Sequence, residues 1–150
     1  MVRHCRAVAG VAVKIAGALD KAGYGLNIQL IQSAALLHDI ARDKANHARA
    51  GAEFLLGMGY PEIAGIVENH MDLPAPVPDN VTEAAVVYLA DKLVQEDLPV
   101  SLEQRFQRAR NKRMTNPDIA LLVEKRYNQA RAIKKEIEKI IGLPLERVIF

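Results

Sequence analysis

Apolar residues recur every three or four positions along nearly the whole chain, and no segment alternates cleanly with a period of two. Val8, Val11, Ile15 and Leu19 make one stripe of a first helix over residues 2–20, which Gly23 and Gly25 close. A second helix is predicted over 27–40, unusually apolar through Ala34-Ala35-Leu36-Leu37, and a third over 45–57, ending at Gly57 and Gly59. Pro61 followed by Glu62 suits the first turn of a fourth helix running to His70. Pro needs no donor there, and Glu favours the positive end of the helix dipole. The prolines at 74, 76 and 78 make Leu73–Pro78 a loop. A fifth helix is predicted over 81–95. Ser101 and Gln104 have capping-box spacing for a sixth. Asn116-Pro117-Asp118 opens a long last helix with Ile119, Val123, Tyr127, Ala130, Ile133, Ile137 and Ile140 on one face, stopped by Gly142 and Pro144. The pattern predicts an all-α bundle of six to seven helices.

Composition narrows this picture without changing it. The 150 residues fit one domain, and 50% hydrophobic with 25% charged residues is the balance of a soluble globular protein. Scarce aromatics and no Trp suit helices packed on helices. A net charge of +2 gives no global attraction to nucleic acid or an anionic membrane. The single cysteine, Cys5, excludes an intrachain disulfide, so the cytoplasm is the expected compartment. No apolar run reaches the roughly 20 residues of a membrane-spanning helix, and the N-terminal residues lack a signal-peptide pattern.

The four histidines are His4, His38, His47 and His70. His4 shares its stripe with Val8, Val11 and Ile15, and so points inward. His38-Asp39 interrupts an apolar run, and Asp91 follows Ala84–Ala90 on the face of Ala84, Val87 and Val94. A carboxylate on a buried helical face is costly unless a positive group meets it. Each residue alone has an ordinary reading: a hydrogen-bonded core histidine, an exposed His47, a surface Asp91–Lys92 pair. Together, two such carboxylates and inward imidazoles point to a divalent cation, whose usual ligands they are.

The order His4, His38-Asp39, His47, His70, Asp91 resembles the HD-domain superfamily of metal-dependent phosphohydrolases. The surrounding words agree: Arg3–Val8, Ala35–Arg42, His47–Gly51, Glu68–Asp72 and Tyr88–Lys92. The likeness covers residues 1–106, read as the metal-binding catalytic core; residues 107–150 are expected to be a helical extension packed on it in the same domain. The resemblance implies that His4, His38, Asp39 and Asp91 hold one metal. It further implies that His47 and His70 are the added ligands of the dinuclear branch, with Asp39 bridging both ions. That branch includes small hydrolases of diadenosine polyphosphates. Similar HD domains are also joined to nucleotidyltransferase domains of the molybdenum-cofactor type, which would account for a chain starting three residues before its first motif histidine.

The resemblance thus implies a hydrolase that cleaves a phosphoester or phosphoanhydride bond, of a nucleotide, by metal-activated hydroxide. Asp39, His38, Arg42 and Lys92 are its candidate catalytic residues. Arg42, Lys44, Arg49 and, if only one metal binds, His70 are candidates for holding the substrate. Arg42 suits a phosphate clamp through its planar fork, although an Arg at a helix end also favours the dipole there. Lys92 could instead support a ligand carboxylate. The metal, one or two ions per chain, could be Fe, Mn, Co, Ni, Zn or Mg. The loop from Met71 to Asn80 leaves from His70 and is expected to wall the cleft, stiffened by its prolines. The dense basic run of Arg105, Arg108, Arg110, Lys112 and Arg113 could land a polyanion. It lacks interleaved aromatics and reads first as a solvated helix face, so nucleic acid is not the expected partner. The last helix could pack on its own domain or pair two copies as a homodimer. A non-catalytic nucleotide-binding module and a di-iron oxygenase stand as the alternative functions.

Overall fold

The helical spacing is realised as eight helices among the described residues: α1 (Val2–Lys21), α2 (Ile28–Leu37), α3 (His47–Gly57), α4 (Pro61–Glu68), α5 (Glu83–Lys92), α6 (Leu102–Arg113), α7 (Pro117–Ile141) and α8 (Glu146–Ile149). The computed structural model describes residues 1–74, 80–113 and 116–150, without the side chain of Arg113. Pro76 and Pro78 of the expected stiff wall therefore lie outside the described residues.

Helix α5 is the centre of the fold. Every residue from Ala85 to Lys92 is buried, so this helix is enclosed on all sides, with α1, α2, α4 and α7 packed around it. Thr82 caps it by accepting from Ala85 N at 3.1 Å. Against it, α1 buries Val8, Val11, Ile15 and Leu19, with Ala9, Ala12 and Ala16 keeping the neighbouring helices close. The caps read from sequence are present. Ser101 and Gln104 exchange hydrogen bonds of 3.1 and 3.0 Å, and the Asn116 side chain accepts from Asp118 N and Ile119 N. Gly142, at φ 77°, ends α7 in the left-handed conformation that glycine adopts without strain. On α7, Val123, Ala130, Ile133 and Ile137 are buried against the core of the same chain. No helix among the described residues is long and apolar enough to cross a membrane.

Three helices end before the apolar spacing predicts. Helix α2 ends at Leu37 rather than Ile40, and α4 at Glu68 rather than His70. In both cases a histidine ring takes over a carbonyl at the helix end. His38 Nδ1 donates to Ala35 O, and His70 Nδ1 to Val67 O, each at 2.6 Å. A side chain that satisfies a terminal carbonyl removes the need for a further helical turn. Beyond His38 the chain winds through tighter turns, with Ile40 N bonded to Leu37 O and Arg42 N to Asp39 O. Third, α5 stops at Lys92 rather than residue 95, and a two-stranded hairpin follows. Strand β1 (Val94–Gln95) pairs antiparallel with β2 (Leu98–Pro99) around a turn at Glu96-Asp97.

Candidate metal centre

Six side chains from five helix ends meet at one point. His4 lies in the first turn of α1, His38 and Asp39 just beyond α2, and His47 at the first position of α3. His70 lies two residues past α4, and Asp91 in the last turn of α5. Asn46, immediately before His47, adopts φ 51°, a left-handed conformation that Asn tolerates better than most residues.

The local hydrogen bonds decide which nitrogen each ring presents. His4 Nδ1 donates to Glu96 O at 2.7 Å, just as His38 and His70 donate to Ala35 O and Val67 O. A carbonyl can only accept, so all three Nδ1 atoms carry the proton. In its neutral form each ring then turns an Nε2 lone pair inward. This is the orientation in which histidines ligate metals.

The Nε2 atoms form two groups around Asp39. His4 and His38 lie 3.0 and 3.3 Å from Asp91 Oδ1, and 3.8 and 3.5 Å from Asp39 Oδ2. His47 and His70 each lie 3.5 Å from the other oxygen, Asp39 Oδ1, and 3.2 Å from one another. The two oxygens of Asp39 thus face opposite ligand sets, His4-His38-Asp91 and His47-His70, within distances that could hold an ion. Cys5 Sγ also falls within such reach of His38 and Asp39, although its sequence position beside His4 carries no such signal.

The buried charges here favour a cation. Asp39 and Asp91 are 2% and 5% exposed, and His38 Nε2 is buried without a hydrogen-bond partner. Burial works against the charged carboxylates. Asp39 is nevertheless held well below the usual carboxylate range by His70 and His38, and Asp91 by Lys92, His38 and His4. Burial also works against a charged His38, yet Asp91, Cys5 and Asp39 outweigh it and push the ring up to about 10. Burial and His70 push His47 down. A proton on His38 is thus the nearest substitute for a metal ion. Mixed imidazole and carboxylate donors around an orphaned buried nitrogen fit a divalent cation.

The other candidates divide by position. Arg42 donates to Asp39 Oδ2 at 3.0 Å, remains 62% exposed, and lines the cleft above the centre. Lys92 is buried and does not line that cleft; its ammonium donates to Asp91 Oδ2 at 3.1 Å and to His70 O at 2.9 Å. It therefore holds a carboxylate of the cluster from behind, and the structure does not place it where the sequence reading put it, among the groups that touch a substrate. His70 is likewise buried and directed at Asp39. Lys44 is exposed outside the cleft, and Arg49 pairs with Glu53 across a helix turn on the exposed face of α3. The structure does not bring Lys44 or Arg49 to the centre.

The cleft holds about 650 Å³, with His4, Asp39, His47 and Asp91 on its floor. Its lining also includes Arg105, Arg108 and Lys112 of α6, which the basic run alone does not single out from Arg110. Arg110 instead makes a two-pronged pair with Glu124 of α7.

The HD domain family model matches residues 1–95, and the chain belongs to the HD domain family. An uncharacterized protein of Methanocaldococcus jannaschii is 31% identical over 147 residues, covering 95% of this chain and 78% of that protein. A protein of Picrophilus torridus named tRNA (cytidine(56)-2'-O)-methyltransferase is 33% identical over 150 residues, covering 89% of this chain. The chain spans 42% of that methyltransferase's length. No solved structure matches.

Proposed function

We propose that this chain is a metal-dependent phosphohydrolase that cleaves a phosphoester or phosphoanhydride bond of a nucleotide. His4, His38, Asp39 and Asp91 would hold one divalent cation, and His47 and His70 a second, with Asp39 shared. The observation that carries this reading is Asp39, whose two oxygens face two separate sets of imidazole nitrogens on the floor of an open cleft. When bound, such cations polarise a phosphoryl oxygen and bring the pKa of water down toward about 7.

The chain's own residues provide the rest. The Glu96, Ala35 and Val67 carbonyls hold three ring protons away from the centre, so the Nε2 atoms stay available. Lys92 orients Asp91 and ties it to the backbone at His70. Arg42 uses one guanidinium nitrogen on Asp39 and keeps its exposed remainder for a phosphate oxygen of the substrate. Membership of the HD domain family supports the reaction class.

The test is phosphate release from a panel of nucleotides and phosphate esters by protein loaded with Mn, Fe, Co, Ni, Zn or Mg in turn. Turnover by the wild-type chain, lost in Asp39→Ala, is the expected result. Nucleotide binding without turnover under every metal would instead make the chain a binding module.

A further inference from the structure

We propose that α6 forms a second phosphate-binding wall, Arg105, Arg108 and Lys112, that receives a phosphoryl group beyond the one held at the metal centre. The chain would accordingly select small ligands with a polyphosphate chain over monophosphates. This rests on reading the cleft as a phosphate site.

The wall follows from helical spacing. Residues 105, 108 and 112 lie at i, i+3 and i+7 and share one strip of α6, beside the buried anchors Leu102 and Phe106. That strip faces the cleft floored by Asp39 and Asp91. It extends about 10 Å along the helix axis, enough for more than one phosphoryl group. It also lies beyond residue 95, where the family match ends.

Unmatched charge supplies the second observation. Among the described residues, no carboxylate lies in ion-pair range of Arg105 or Lys112, and Arg105 Nε is buried without a hydrogen-bond partner. Arg108 makes a 3.4 Å pair with an exposed Glu96, the kind that contributes little. A guanidinium that lines the cleft without a carboxylate partner has its charge unmatched there, and a multiply charged anion in the cleft would match it. A monophosphate held at the floor would leave the wall's charge unmatched. Among the described residues the cleft lining holds no Phe, Tyr or Trp, and its two imidazoles, His4 and His47, are turned to the carboxylates of the floor, so a single strand finds no large aromatic platform for its bases. Its volume of about 650 Å³ is that of a small-molecule site.

The experiment compares calorimetric binding of α,β-methylene-ADP, AMP and a short single-stranded RNA to the metal-loaded full chain, with free metal held constant. Wild type should prefer α,β-methylene-ADP to AMP. Arg105→Gln and Lys112→Gln should each weaken binding of the diphosphate analogue by about ten- to a hundredfold, so that the preference collapses. Lys112 is exposed, so its variant keeps the test decisive should Arg105→Gln fail to fold. Equal affinities in wild type, or a preference that survives both variants, would overturn the wall. A larger loss for RNA than for the analogue would also overturn it. Turnover of monophosphates without the preference sinks the wall and leaves the hydrolase reading. The preference without any turnover supports the wall and sinks that reading.

Discussion

At the scale of single residues, the candidate centre is held by partners of its rings and carboxylates. Lys92 is the clearest. Its ammonium is fully enclosed, burial pushes its pKa down, and Asp91 acts against that shift. Replacing it by Met removes the ammonium from Asp91 Oδ2 and the donor from His70 O while His38 and His4 remain beside Asp91, a loss of about 1.5–3 kcal/mol in the metal-free chain. Denaturant unfolding of metal-free Lys92→Met measures this directly. A change below about 1 kcal/mol would mean the pair is not structural. His38-Asp39 and Asp91 were legible in the sequence because charged or polar groups interrupt apolar runs where water cannot reach them. The carbonyls of Ala35, Val67 and Glu96 were not. Every residue has a carbonyl, and only the end of a helix or the path of a turn decides which one a ring nitrogen meets.

At the scale of elements, the β1–β2 hairpin acts as a support for His4. Glu96 sits at φ 59° and presents its carbonyl to His4 Nδ1. That backbone conformation suits glycine and strains a β-branched side chain. Glu96→Gly should therefore leave stability within about 1 kcal/mol of wild type, the relief of strain offsetting added chain entropy. Glu96→Val should lower it by more than about 1 kcal/mol and loosen His4. Thermal unfolding of the two variants decides it, and equal melting points would contradict the role given to this turn. The hairpin escaped the hydrophobic pattern because its strands have two residues each and its turn, Glu96-Asp97, lacks the glycine or asparagine that usually marks one. By contrast, the capping box at Ser101 was legible because its two side chains bond each other's backbone locally.

At the scale of the whole molecule, α7 fastens the segment that carries His70. Arg126 makes two hydrogen bonds of 2.8 and 2.7 Å to Asp72, Gln129 donates to Leu73 O, and Tyr88 donates to Arg126 O. Hydrogen bonding from Arg126 holds Asp72 below the usual carboxylate range despite partial burial. A depressed carboxyl contributes stability above its unfolded pKa, near 4, and loses that contribution as pH falls through the folded value. Asp72→Asn should thus be less stable than wild type at neutral pH, by no more than about 1 kcal/mol because Asp72 is 41% exposed. The gap should close on acidification; a gap that widens in acid would contradict the pairing. The long apolar stripe of α7 was legible at full length. Which basic residues of α6 face the cleft was not, since the run from Arg105 to Arg113 has positive charge on several faces and only packing against α7 and the hairpin selects among them.

The count of metal ions per chain tests the central claim most directly. Purified chain equilibrated with a saturating divalent metal, then freed of excess and measured by elemental analysis, should carry two ions. The count should fall to one in His47→Ala and in His70→Ala. A single ion in wild type, unchanged by either substitution, would contradict a shared Asp39 and leave His47 and His70 without a metal to hold.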